Sequence, residues 1–206
     1  DAKRIFGELE RVAGLPEELR ADVDILLAAK RPLLDRLAAI RALPPSGLRT
    51  RIHGDLHLGQ VLVVQDDVMI IDFEGEPQRS LAERREKSSC LRDVAGMLRS
   101  FDYTAWSAID RIRAPGGPGA IEPRVMRRAF AWRDQAVRNF LAAYWPTAEA
   151  AGVLPEPAAR TNLLELFTMQ KALYELSYEA NNRPAWLSIP VRGLLDLIAP
   201  RHNEPS

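Results

Sequence analysis

A stretch of roughly thirty residues with strand-forming patterns interrupts a chain whose apolar spacing is otherwise helical. Within this stretch, residues 49–53, 61–64 and 68–71 are predicted to form three short strands. Residues 65–67 are polar and turn the chain between the last two strands, so a β-hairpin is expected. The chain is therefore limited to an α+β fold that is mostly α-helical and carries one small sheet.

Helical periodicity covers most of the remaining sequence. The apolar spacing predicts a short first helix that ends before Gly14 and a second helical run that breaks at Pro32. Four further helical segments are predicted along the chain, at residues 91–109, 123–144, 158–180 and 191–198. The Pro/Gly-rich residues 114–119 are interpreted as a connector rather than a phosphate-binding loop, because prolines flank the glycines. The tail at residues 201–206 is expected to fray.

The composition indicates one globular domain and excludes several classes of partner. The 206 residues are 47% hydrophobic and 27% charged, with 28 basic and 28 acidic side chains that leave no net charge. A nucleic-acid or membrane-surface partner is therefore not expected. Cys90 is the single cysteine, which excludes an intramolecular disulfide, and no run is long and apolar enough to span a membrane. These features predict a cytoplasmic protein.

Two acidic residues flank the predicted hairpin. Asp55 lies in the loop before it, and Asp72 directly follows its last strand. Because a hairpin returns the chain to the end at which it began, both carboxylates are expected to face one site. Asp72 follows a strand predicted to be buried, where an ionised carboxylate needs a cation or hydrogen-bond donors. Taken alone, Asp72 is more often explained as a turn residue.

The loop before the hairpin has the order of parts found in phosphotransferases. Its sequence H-G-D-L-H-L-G-Q keeps the spacing of the protein-kinase loop H-R-D-L-x-x-x-N. Asp55 takes the position of the base, and Gln60 takes that of the magnesium-binding amide. Glutamine is longer by one methylene but still offers a carbonyl oxygen to a hard cation. Gly54 replaces the loop arginine, which suits a kinase of a small molecule.

Four blocks of sequence carry a resemblance to a known family: RIHGDLHLGQVL at 51–62, IDFEGEP at 71–77, LAERR at 81–85 and LRDVAGMLRSFDY at 91–103. With these blocks in this order, the chain resembles bacterial maltokinases, whose fold is similar to that of aminoglycoside phosphotransferases. The resemblance covers about residues 49–190. It implies the C-terminal lobe of a protein-kinase-like fold with an inserted catalytic hairpin. It also implies that ATP and Mg²⁺ are used to phosphorylate maltose at its anomeric hydroxyl, giving maltose 1-phosphate.

The resemblance also assigns roles to individual residues. It makes Asp55 the catalytic base, Gln60 and Asp72 the magnesium ligands that hold the nucleotide, and His53 the residue that orients the catalytic loop. The remaining candidates are substrate contacts, namely His57, Glu74, Tyr174, Glu175, Tyr178 and Trp186. Spacing of four residues places the two tyrosines on one helix face, where aromatic rings suit a sugar. Spacing alone would favour a core aromatic stripe, and the resemblance reverses that preference.

Other parts of a complete kinase are not recognised in the sequence. No Gly-rich hairpin is predicted, and none of the four lysines lies in a strand-like context where it would reach ATP. We therefore expect residues 1–206 to be a single C-terminal lobe, with the catalytic loop and hairpin at 49–77 and the helical substrate-binding part at 91–198. Its partner would be its own N-terminal lobe, and the isolated lobe is expected to be inactive or weakly active.

Three alternatives stay open. A zinc hydrolase could use His53, Asp55 and His57, although a third nitrogen or sulfur ligand is missing and the remaining histidine, His202, lies in the tail. A kinase-like lobe could instead bind a sugar without catalysis, beside a trehalose-metabolising enzyme. A third alternative is a kinase of another sugar, such as glucosamine or an aminoglycoside. Four carboxylates could then face an ammonium group, those of Glu74, Glu76, Glu175 and Glu179. Only the block at 72–77 favours maltose.

Overall fold

The structure is a computed structural model that describes residues 2–44, 46–77, 79–112 and 123–198. The connector predicted at 114–119 and the tail predicted at 201–206 lie outside the described residues. The chain divides into two compact units. The first unit comprises Asp1–Leu43 with Met169–Ser206, and the second comprises Pro44–Thr168.

The described residues form eight α-helices, two strands and two short 3₁₀ helices. The helices are α1 (Ala2–Leu9), α2 (Glu17–Ala28), α3 (Lys30–Arg41), α4 (Leu81–Arg85), α5 (Leu91–Ile112), α6 (Pro123–Ala150), α7 (Pro157–Asn182) and α8 (Ser188–Ile198). The strands are β1 (Val61–Val64) and β2 (Asp67–Ile70), and the 3₁₀ helices are Leu58–Gln60 and Pro184–Trp186. This order agrees with the mostly helical α+β class predicted from the sequence.

The first unit is built around helices α2 and α8, which pack against each other. Leu26 of α2 and Leu194 of α8 are fully buried, and an ion pair adds a polar contact, with Arg192 Nε donating to Asp22 Oδ2 at 2.9 Å. The second helical run breaks at Ala29, before the predicted position at Pro32. Proline is tolerated in the first turn of a helix, where its missing N–H has no intrahelical partner to lose.

Helices α5 and α6 pack together in the second unit. The apolar side of α5 is almost completely buried, as at Val94 and Ile109. A buried charge network joins the two helices, because Asp102 accepts hydrogen bonds from Arg99 at 2.6 Å and from Arg133 at 2.9 Å. Buried carboxylates require such partners.

The hairpin forms as predicted, but its second strand, β2, is exposed along its whole length rather than buried. The first of the three predicted strands does not form. Strands β1 and β2 pair antiparallel, with Val61 opposite Ile70, and Gln65 turns the chain with a φ of 56°. The strand predicted at 49–53 is wrong, since this segment makes only an isolated bridge between Thr50 and Ser88. A strand needs a partner along its length, and the hairpin already pairs its own two strands.

Helix α4 was not predicted from the sequence. It is only five residues long, too short to show helical periodicity. A capping box begins it, in which Ser80 Oγ accepts the N–H of Glu83 and the Glu83 carboxylate accepts the N–H of Ser80. This local exchange of hydrogen bonds explains why so short a segment is helical. Over the described ranges, the structure contains no helix with the length and apolar character needed to cross a membrane.

The buried contact of α2 generates a test of the first unit. Leu26→Ala should lower the free energy of unfolding by about 2–5 kcal/mol, because it removes a fully buried side chain and leaves a cavity. The neighbouring Ile25 is 58% exposed, so Ile25→Ala should change the free energy by no more than about 0.5 kcal/mol. Chemical denaturation measures both, and equal losses would contradict the assigned packing of α2.

Candidate functional site

One histidine ring connects the two acidic segments. Its Nδ1 accepts the backbone N–H of Asp55 at 3.3 Å, and its Nε2 lies 2.8 Å from the carbonyl oxygen of Ile71. Since Nδ1 acts as an acceptor, the proton lies on Nε2, which donates to that carbonyl. The buried His53 ring also contacts the Phe73 ring, with the centroids 4.8 Å apart and the planes tilted by 39°. His53 therefore holds the loop of Asp55 against the residues on both sides of Asp72.

The carboxylate of Asp93, at the start of α5, binds the backbone of the same loop. Asp93 accepts the backbone N–H of His53 at 2.7 Å and that of Gly54 at 2.9 Å, one on each oxygen. Burial raises the pKa of Asp93, and the two N–H donors and His53 oppose this rise. Sequence reasoning gave Asp93 no role, because an acidic residue in the first turn of a helix is ordinarily explained by the helix dipole.

The two loops approach each other through glycines. Gly54 and Gly75 both have positive φ angles, 88° and 79°. A Cβ atom on Gly54 would lie 3.3 Å from the Cα atom of Gly75. Side chains at these positions would strain the backbone and crowd the contact. The glycines therefore allow the loops before and after the hairpin to meet.

Gln60 and Asp72, the predicted magnesium ligands, are in direct contact. Gln60 Nε2 donates to Asp72 Oδ2 at 2.9 Å. Asp72 has a φ of 63°, a left-handed conformation that is uncommon for a residue with a side chain and that concentrates at functional sites. Together they supply carboxylate and amide oxygens, which are the donors that Mg²⁺ prefers. The donor set thus fits a hard cation, while the role of ligand stays a prediction.

The zinc-hydrolase alternative receives no support from this geometry. Within 2–44, 46–77, 79–112 and 123–198, no group of three or more His, Cys, Asp or Glu side chains could hold a metal. His57 has a local partner, because its Nδ1 accepts the N–H of Gly59 at 3.1 Å and caps the 3₁₀ helix that follows. Its predicted contact with substrate stays a prediction.

The carboxylates after the hairpin differ in their availability. Glu76 is buried and pairs with Arg79 and, at 3.9 Å, with Arg92. Burial and the positive charge of Arg79 lower the pKa of Arg92, and Glu76 opposes this effect. Glu74, in contrast, has a side chain that is 78% exposed and lies 4.0 Å from Arg84. Glu76 therefore serves an internal ion pair, and Glu74 is the carboxylate of this loop that a substrate can reach.

The aromatic residues on α7 stack as the spacing predicted, with the Tyr174 and Tyr178 ring centroids 6.4 Å apart and nearly parallel. Cations lie over their faces. Lys171 Nζ is 4.8 Å from the Tyr174 ring, and the Arg183 guanidinium is 5.2 Å from the Tyr178 ring and 5.4 Å from the Trp186 ring. A sugar that stacked on these rings would use other faces or displace the cations.

One glutamate of this region is already committed to a partner. Glu179 is 2% exposed and binds Arg183 through both oxygens, at 2.9 Å and 2.6 Å. Because Glu179 is buried and paired with Arg183, it is removed from the set of carboxylates available to a sugar. Glu175 is half-buried, and its contact with substrate stays a prediction.

The candidate residues fall into both units. The second unit holds His53, Asp55, His57, Gln60, Asp72 and Glu74, and the first holds Tyr174, Glu175, Tyr178 and Trp186. Hydrogen bonds and ring contacts directly join the loop of Asp55, the residues around Asp72 and the side chain of Gln60. This cluster in the second unit is the candidate active site.

Comparisons with known proteins point to sugar kinases. No protein-family model matches the chain. The chain is 29% identical to a glucosamine kinase of Streptacidiphilus jiangxiensis over 192 residues, which cover 93% of this chain and 40% of that protein. It is also 29% identical to a glucosamine kinase of Mycolicibacterium smegmatis over 148 residues, which cover 71% of this chain and 34% of that protein.

Solved structures give the same result. A glucosamine kinase in complex with glucosamine, ADP and inorganic phosphate matches with a TM-score of 0.74 and 27% identity, over 96% of this chain and 44% of that one. Crystal form A of a glucosamine kinase matches with a TM-score of 0.75 and 27% identity, over 97% of this chain and 44% of that one. The chain thus spans less than half the length of these relatives. It has a sugar-kinase-like fold, and its similarity is to glucosamine kinases, whereas maltokinases were expected from the motifs.

Proposed function

We propose that the protein containing this chain is an ATP-dependent sugar kinase whose substrate is glucosamine. The observation that supports this most is the His53 ring, which bonds to the loop of Asp55 and to the segment of Asp72. This contact joins the backbone of the Asp55 loop to the segment before Asp72, which supports a site with the order of parts that phosphoryl transfer uses. The glucosamine kinases with similar sequence and fold favour the same activity.

The proposed reaction uses the residues of the cluster directly. Asp55 accepts the proton of the sugar hydroxyl while the hydroxyl oxygen forms a bond to the γ-phosphorus of ATP. The bond from that phosphorus to the bridging oxygen breaks, which releases ADP. A magnesium ion, when bound, would neutralise charge on the phosphates, and the oxygens of Gln60 and Asp72 would hold it. His53 keeps the Asp55 loop against the Asp72 segment.

Charge separates glucosamine from maltose as substrates. Glucosamine carries an ammonium group, which a carboxylate recognises by a charge-assisted hydrogen bond, whereas maltose is neutral. Glu76 and Glu179 are committed to arginines, and the exposed Glu74 is the carboxylate of the cluster that we propose for this contact. Maltose is the second candidate, supported by the resemblance of residues 72–77 to maltokinases.

The hairpin supports a further part of the proposal, namely a second lobe. Its apolar side chains are exposed, with Val63 at 80% and Val68 at 58%, and the nearby Phe73 is 57% exposed. Exposed apolar patches indicate surfaces that another structure covers. Since the chain spans 40% of its Streptacidiphilus relative, we propose that an N-terminal lobe covers the hairpin and encloses ATP. A trehalose-metabolising partner stays a prediction.

Asp55→Asn in the full-length protein should lower kcat for glucosamine by at least about a hundredfold, because the amide cannot accept the proton. Steady-state assays of ADP release measure this, with circular dichroism to check folding. Asp24→Asn, at an exposed position of α2, is the matched control and should keep normal turnover. Near-normal turnover by Asp55→Asn would remove Asp55 from the role of base.

Asp72→Asn should raise the magnesium concentration needed for half-maximal activity by about tenfold or more, because a neutral amide holds a divalent cation less tightly than a carboxylate. Magnesium titrations at saturating ATP and sugar measure the shift. An unchanged midpoint, equal to that of the Asp24→Asn control, would show that Asp72 is not a ligand.

Glu74→Gln should raise KM for glucosamine by about tenfold, the scale of one hydrogen bond to a charged group, while KM for glucose changes by less than about twofold. The comparison isolates the ammonium group, because the two sugars differ only there. Glu86→Gln serves as the control, because it removes the charge of another exposed glutamate nearby. Equal changes for both sugars would contradict recognition of the ammonium group by Glu74.

A further inference from the structure

Three positions on one face of α5 touch the candidate catalytic loop. Asp93, Gly96 and Ser100 are spaced three and four residues apart, so they lie in a row along the helix. Asp93 binds the backbone before Asp55, as described above. The other two members of the row contact the backbone after it.

Gly96 allows the loop to approach the helix closely. A Cβ atom at this position would lie 2.5 Å from the carbonyl oxygen of Leu56, nearer than real Cβ atoms come to backbone. Gly96 lies in the interior of a long helix, where glycine is disfavoured relative to alanine. The close contact gives a physical reason for glycine here, because any side chain would push Leu56 and the adjoining Asp55 away.

Ser100 holds the far end of the loop. Its Oγ accepts the backbone N–H of Leu58 at 2.9 Å, and Leu58 begins the 3₁₀ helix that ends at Gln60. One turn further along α5, the Thr104 hydroxyl donates to the Ser100 carbonyl oxygen at 2.8 Å. That bond lies within the helix and does not involve the loop. Ser100 therefore links the rigid helix to the segment that carries the proposed magnesium ligand.

We propose that Gly96 and Ser100 are positioning residues that, together with Asp93, set the distance of Asp55 and Gln60 from α5. The backbone on both sides of Asp55 is bonded to α5, through the N–H groups of His53 and Gly54 before it and that of Leu58 after it. Between these bonds, the Leu56 carbonyl lies close to Gly96. Because α5 packs in the core through its other face, it serves as a fixed reference for the loop. The proposal rests on the sugar-kinase function for its effect on turnover.

Kinetic measurements on the full-length protein test the row. Gly96→Ala and Ser100→Ala should each lower kcat for glucosamine by between about tenfold and a hundredfold, as expected for a displacement near 1 Å, with KM for sugar and ATP within about twofold of wild type. Ser100→Thr keeps the hydroxyl and should restore kcat relative to Ser100→Ala. Gly7→Ala, a helical glycine with open space around it, and Thr104→Ala are the matched controls and should leave kcat unchanged.

Hydrogen exchange distinguishes failure of this proposal from failure of the proposed function. Ser100→Ala and Gly96→Ala should each speed amide exchange in the peptide that covers residues 53–60 by about tenfold or more. The two control variants should leave exchange in that peptide unchanged. This readout does not need activity. If the wild-type protein is inactive but the two variants show accelerated exchange, only the kinase function is overturned. Unchanged exchange and unchanged kcat at temperatures well below unfolding would overturn the positioning role, whatever the change in stability.

Discussion

The half-buried carboxylate of Asp93 makes the interaction on which the candidate site depends. Two consecutive backbone N–H groups, those of His53 and Gly54, lie outside helices and strands and need acceptors, and one side chain supplies both. The raised pKa of Asp93 reflects the cost of burying its charge. With the backbone fixed in this way, the His53 ring is placed where it can reach Asp55 on one side and Ile71 on the other.

Most of the helical fold could be predicted from the sequence, because long helices carry many apolar residues at regular spacing. Helices α5 and α7 were predicted to within a few residues, and the hairpin followed from two apolar runs around a polar turn. The strand at 49–53 and helix α4 could not be predicted correctly, since both are short. Their structure depends on single bridges and on one capping box rather than on a repeated pattern.

The candidate site was predictable in its parts but not in its connections. Motif order made Asp55, Gln60 and Asp72 candidates, and the structure joins Gln60 to Asp72 while their roles stay predictions. Sequence alone could not tell which carboxylates are committed to arginines. In the sequence, Glu76 and Glu179 look equivalent to Glu74 and Glu175. In the structure, Glu76 and Glu179 are buried and paired with arginines. Gly96 carried no signal either, because a helical glycine has meaning only once its neighbour, the Leu56 carbonyl, is known.

The proposals combine into one account, in which a loop fixed to α5 would present a base and an oxygen-donor pair to a nucleotide and an amino sugar. The most direct measurement is phosphorus NMR of the full-length protein with ATP, magnesium and equal concentrations of glucosamine, maltose and glucose. The account predicts that glucosamine phosphate is the main new resonance and that it grows in step with ADP. Formation of maltose 1-phosphate instead would contradict the assigned substrate, and the absence of any sugar phosphate would contradict the kinase function itself.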